Sequence, residues 1–156
     1  MKLRDVLEKW GLTKLAIKAP FLEAAWEPKE PDMTAAWELY VELITRVATQ
    51  HLDPEEGDEA AALESVYQLF PLTRDTIKRQ GRHCINFTRI AVVVLNQIVR
   101  PFTAKWHPRI LAGPLDTEAR ERFRAELRDL QTDFRKYTRL LADMADVEDL
   151  TDLEAV

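Results

Sequence analysis

The stretch DTEARERFRAELRDLQTDFRKYTRLLADMA, residues 116–145, decides the fold class. Its apolar residues Phe123, Leu127, Leu130, Phe134, Tyr137, Leu141 and Met144 recur at spacings of four, three, four, three, four and three, a heptad seam sustained over three repeats. Arg122, Arg124, Arg128, Arg135 and Arg139 alternate with Glu121, Glu126, Asp129 and Asp133 along its flanks, which suits a solvated helix whose seam is covered by a neighbour. That neighbour is either another helix of the same bundle or a second chain. Phe and Tyr are bulky for a simple two-stranded coil, yet the seven seam residues are the chain's candidate interface.

Working outward, the other segments also read as helices. Leu3, Val6, Leu7 and Trp10 keep helical spacing until Gly11. Thr34 is a candidate cap for AAWELYVELITRVATQ, where Trp37, Tyr40, Val41, Ile44 and Val47 form a stripe widened by Leu39 and Leu43. Asp58 caps a helix whose Leu63, Val66 and Phe70 point inward, with Pro71 bending or restarting it and Gly81 ending it. A further helix begins near Ile85. One segment departs from the pattern: in 13–27, Leu15 and Ile17 alternate with Lys14 and Lys18, and a proline precedes FLEAAW, so a short β-hairpin competes with a broken helix. The acidic EDLTDLEAV after Val147 reads as a frayed tail or an arm that docks on binding.

Composition supports a folded domain. The 156 residues are 46% hydrophobic and 31% charged, values of a globular protein long enough to bury a core without metal or disulfide. The single cysteine, Cys84, cannot form an internal disulfide, and no uninterrupted apolar leader opens the chain, so a cytoplasmic location is expected. The longest apolar run, Ile90 to Leu95, is far too short to span a membrane. A formal charge of −5 argues against general attraction to nucleic acid.

Chemistry concentrates in NQIVRPFTAKWHPRIL, residues 96–111. Pro101 forces a kink or a restart, and Pro108 biases His107 away from helical geometry, which predicts a Pro-bounded segment of about two turns. Phe102 and Trp106 share its inward face. Arg100, Thr103 and His107 lie on another. An Arg followed two turns later by a His resembles the marker of the HEPN ribonuclease superfamily, over eight residues of this chain. The resemblance implies that Arg100 would stabilise a phosphate oxyanion and His107 would act on the 2′-hydroxyl or the leaving group, across a dimer and without metal. Pro101 stands where that superfamily usually has a polar residue.

A broader resemblance rests on AAWELYVELITRVATQ, LFPLTRDTI, VLNQIVRPFTAKWHP and LADMADVEDLTDLE. These are similar to a group of small bacterial helical proteins and modules without assigned activity, some from conflict or phage-defence loci. The resemblance implies a bacterial origin and an accessory role, and assigns no reaction.

Other sites are weaker. His51 with Asp53, Glu55, Glu56 and Asp58 matches neither a calcium loop nor a zinc pattern, and His83 beside Cys84 lacks a second ligand pair, so no metal and no cofactor are expected. Lys78, Arg79 and Arg82, with Arg100, Lys105 and Arg109, would form an anion-binding patch if two helix ends meet. The sequence therefore predicts an all-α bundle of four to five helices in one domain, 1–147, with a candidate hairpin at 13–27 and an acidic tail at 148–156. The expected role is a non-enzymatic interaction or regulatory module whose partner, another protein or a second copy, meets the last helix. A HEPN-like ribonuclease and an anion or nucleotide sensor are the alternatives.

Overall fold

The computed structural model describes residues 1–46 and 58–154. In chain order the helices are α1 (Leu3–Lys9), α2 (Ala19–Leu22), α3 (Glu30–Ile44), α4 (Glu59–Tyr67), α5 (Leu69–Gln80), α6 (Ile85–Val94), α7 (Arg100–Leu111) and α8 (Thr117–Ala145). The all-α class holds, but six of these helices have nine residues or more, against four or five expected. The difference arises because one helical stretch divides at Gln68 into α4 and α5, and because α6 and α7, joined without a break by a π turn, are counted separately.

At 29 residues α8 is about 44 Å long, and its most extensive contact is with α3. All seven seam residues are buried. The cover is internal to the chain, so the expected partner contact on this seam has no exposed surface. Burial extends beyond the seam to Gln131, Thr138 and Leu140, which makes α8 the central helix rather than one wall.

α3 begins at Glu30, four residues before Thr34. Pro31 is tolerated in the first turn, where its missing amide hydrogen costs no helical bond, and the Asp32 carboxylate accepts from the Lys29 amide at 2.9 Å. The buried Asp32 also accepts from the Phe87 amide at 2.9 Å and the Asn86 side chain at 3.1 Å, so one carboxylate ties the starts of α3 and α6 together. The inward face of α3 is Ala35, Ala36, Leu39, Tyr40 and Leu43. Trp37 and Val41 point outward, against the expected stripe; Val47 lies outside the described residues. Two alanines on this face let the packed helices approach closely, which a Trp at those positions would prevent.

No strand occurs among the described residues, and the 13–27 hairpin is absent. Its second half pairs with the N-terminus instead, through the Leu3 amide to the Ala24 carbonyl at 3.0 Å and the Trp26 amide to the Met1 carbonyl at 2.8 Å. Its first half is held by a side chain: Gln97 accepts from the Ala16 amide at 2.8 Å and donates to the Ala16 carbonyl at 2.7 Å. A primary amide thus takes the place of the missing strand.

In the tail, expected to be frayed, residues 148–152 are held against α3 and α8. Tyr40 Oη donates to the Glu148 carbonyl at 3.2 Å and accepts from the Leu150 amide at 2.7 Å, Thr151 is buried, and Arg139 pairs with Asp149 and Asp152. The turn that aims it is a left-handed Asp146, with the Val147 amide reaching back to the Ala142 carbonyl at 3.1 Å.

Candidate functional site

Residues 96–111 are the natural starting point. Leu95–Val99 form a π turn whose widened ladder, with the Arg100 amide bonded to the Leu95 carbonyl, absorbs Pro101 without breaking the helix. α7 then continues for 12 residues, through Pro108 in its last turns. The predicted two-turn segment is therefore a longer helix, and His107 is helical. Pro108 forfeits only a bond near an exposed helix end.

Phe102 and Trp106 anchor the helix as expected, both against Phe123, at ring-centroid distances of 5.3 and 5.2 Å. The Trp106 indole donates to Glu126, which also pairs with Lys105. Arg100 and His107 lie on the exposed side. The Arg100 guanidinium sits 4.9 Å over the Phe70 ring and donates to Asn96, while His107 stacks on Tyr67 at 6.0 Å. Tyr67 and Phe70 are themselves 5.7 Å apart. The Arg and His are thus occupied by neighbouring aromatic faces that seat α7 on the α4/α5 junction. Thr103, between them, is buried and returns its hydroxyl hydrogen to the helix's own carbonyls. No hydrogen bond orients His107 among the described residues, whereas a working general base is commonly aligned by a third group.

The proposed basic patch does not assemble. Lys78, Arg79 and Arg82 stand at the α5 end, next to the start of α6, and Arg100 follows about 20 Å further along the continuous α6–α7 rod. Arg79 is paired with Glu38 at 3.0 Å, Lys105 with Glu126, and Arg109 lies over Trp106 at 5.3 Å. The two ends face different neighbours because the π turn joins their helices into a rod instead of folding them back.

Two polar constellations escaped the sequence reading. Lys14, Gln97, Lys105, Glu126, Asp129 and Asp133 line a cleft of about 290 Å³ beside Pro101, in which Lys14 pairs with the buried Asp133. Its charges largely satisfy one another. Glu59, at the first position of α4, receives Arg120 and Arg124, each at 3.0 Å. Burial pushes the Glu59 carboxyl up, but the backbone amide and the two guanidinium groups outweigh it and hold the group below its ordinary value. Among the described residues no group of three His, Cys, Asp or Glu side chains is placed to hold a metal. Asp58 caps α4 through the Ala60 amide, while His51, Asp53, Glu55 and Glu56 lie outside the described residues. His83 is exposed and Cys84 is fully buried.

Two further grooves differ in character, the first of mixed polarity and the second apolar. One, of about 470 Å³ between α3 and α5, holds Trp37, Val41 and Leu72, with Glu38, Glu42, Asp75 and Arg79 around it. The other, of about 330 Å³, lies between α6 and the 16–21 segment and is lined by Leu3, Ile17, Phe21, Val92 and Val93 with Lys18 and Arg89 at its margin. Phe21 is 50% exposed and Val92 43%, and Ile85 extends the same α6 stripe at 47%. The signal for this groove was present as Ile85, Arg89 and Val92 at helical spacing. It was overlooked because the run reads as core from either side.

No protein-family model matches the chain, and no curated protein or solved structure shows significant similarity to it.

Proposed function

We propose that the chain is a non-enzymatic protein-interaction module that docks its partner in the groove between α6 and the 16–21 segment. The observation that carries this reading is the exposure of Phe21 and Val92 at the walls of an almost wholly apolar groove. Large apolar residues gathered around one depression mark contact surfaces more often than scattered ones do. The resemblance to bacterial accessory proteins adds a role in a conflict or defence system, and an effector or sensor encoded beside this chain would support it. Phe21→Glu and Val92→Glu should each keep the parent melting temperature within about 2 °C, because both sites are exposed, and lose the co-purifying partner. A chain that stays monomeric by light scattering and retains no partner at any ionic strength contradicts the proposal.

The shared exposed face of Arg100 and His107 favours one rival, a metal-independent ribonuclease. That reading requires RNA cleavage in the presence of a chelator, abolished by Arg100→Ala or His107→Ala in a folded protein. The docking reading expects no cleavage and a modest loss of stability, since both side chains serve as lids on aromatic rings.

A further inference from the structure

We infer that the partner of the α6 groove is an acidic amphipathic helix, an assignment that rests on the docking reading above. The groove's shape and its charge each narrow the choice of occupant.

An apolar groove receives a peptide as a strand added to an exposed backbone edge, as a polyproline segment laid on aromatic rings, or as the apolar face of a helix; Phe21 is the one aromatic in this lining and the other apolar residues are aliphatic, which leaves the first and the last. The extended residues beside this groove are those near Ala16, where the Gln97 amide already occupies both the backbone N–H and the C=O. That edge is closed at Ala16. What remains available are side chains: Phe21 on one wall and the Ile85, Val92 stripe on the other. From Ile85 to Val92 the stripe rises about 10 Å along α6, which matches two turns of a helix laid alongside.

The margin supplies the sign. Lys18 and Arg89 line the groove and have no carboxylate partner among the described residues, while Lys2 and Arg4, either side of the groove residue Leu3, share the single carboxylate of Glu23. This cationic rim belongs to a chain of net charge −5, most of whose other described lysines and arginines pair with acidic groups or cover rings. A second copy meeting the same face across a twofold axis would bring Lys18 and Arg89 against themselves, which like-charge repulsion disfavours. An acidic helix with apolar residues at i, i+3, i+4 and i+7 satisfies both the wall and the rim.

Fluorescence anisotropy with three labelled peptides tests this: an amphipathic helix flanked by Glu, the same apolar pattern flanked by Lys, and a scramble of the acidic peptide. The acidic helix should bind about tenfold more tightly than either control, and more weakly as salt rises. The double reversal Lys18→Glu with Arg89→Glu should invert the preference towards the Lys peptide, and Val92→Glu should abolish binding of both. Equal binding of the scramble, preference for the Lys peptide by the parent chain, or no binding of the acidic helix up to about 1 mM overturns the inference. If the Lys peptide binds and Val92→Glu removes it, the groove remains a docking surface and only the acidic partner falls. If Val92→Glu leaves the natural partner bound, the docking reading falls as well.

Discussion

Tyr137 has a buried hydroxyl with no hydrogen-bond partner among the described residues. Burial raises its phenol far above the ordinary value, so the group stays protonated throughout the working pH range. An unmade hydrogen bond in the interior costs about 1–3 kcal/mol, whereas the ring itself fills a seam position. Tyr137→Phe should therefore leave stability unchanged or raise it, by up to a few degrees in melting temperature. A clear loss in thermal denaturation would mean that the hydroxyl has a partner after all. Asp32 presents the opposite case, a buried carboxylate serving donors from Lys29, Asn86 and Phe87. The sequence disclosed Tyr137 as a seam residue because spacing alone reveals it. It hid Asp32 behind two prolines, since two of its three donors come from residues more than fifty positions away.

Single elements likewise differ in how plainly the chain announces them. α8 was legible because its apolar period is regular, and Asp58 was legible as a cap because a short acidic side chain before a helix accepts from its free amides, as Asp116 also does at the start of α8. The 96–111 stretch was only half legible. Pro101 does not end the helix, because the preceding π turn widens the ladder, and a change in hydrogen-bond register leaves no mark on apolar spacing. That turn carries Gln97, which holds Ala16. Gln97→Leu should release the 14–18 segment, seen as faster hydrogen exchange at the Ala16 amide with Ile90–Val94 unaffected; unchanged protection at Ala16 would show that the segment is held elsewhere.

At the other end, the hydrogen bond and charge of Arg139 hold the Asp152 carboxyl below its ordinary value. A depressed carboxyl contributes to docking above its unfolded value and loses that contribution as pH falls through the folded one. Acidification should thus expose the tail: protection of the Leu150 amide, bonded to Tyr40, should decrease towards low pH. Because Asp152 is exposed, the effect should be small and weakened by salt; a pH-independent amide would show that Tyr40 alone retains the tail.

For the whole molecule, the central helix has consequences for function. The seam of α8, the most regular feature of the sequence, is buried within the chain and serves stability, and no helix among the described residues is long and apolar enough to cross a membrane. Surfaces left for recognition are those where a bundle face has no neighbour: Trp37 and Val41 on α3, and Phe21 and Val92 across the α6 groove. Ile85, Arg89 and Val92 keep helical spacing, but periodicity alone does not say which side of an apolar helix remains uncovered, because that depends on how the other helices pack. Ala35 and Ala36 lie on the buried face of α3 and Trp37 on its exposed one; α2 and the 16–18 segment border the α6 stripe without closing it. The proposed docking surface is the α6 groove, and not the other exposed apolar positions. Photo-crosslinking residues placed singly at Val92, Trp37 and Leu111 test it most directly. A specific adduct is expected from Val92, removed by Phe21→Glu, and none from Leu111 or Trp37; an adduct from Trp37 or Leu111 with none from Val92 excludes the α6 groove as the docking surface.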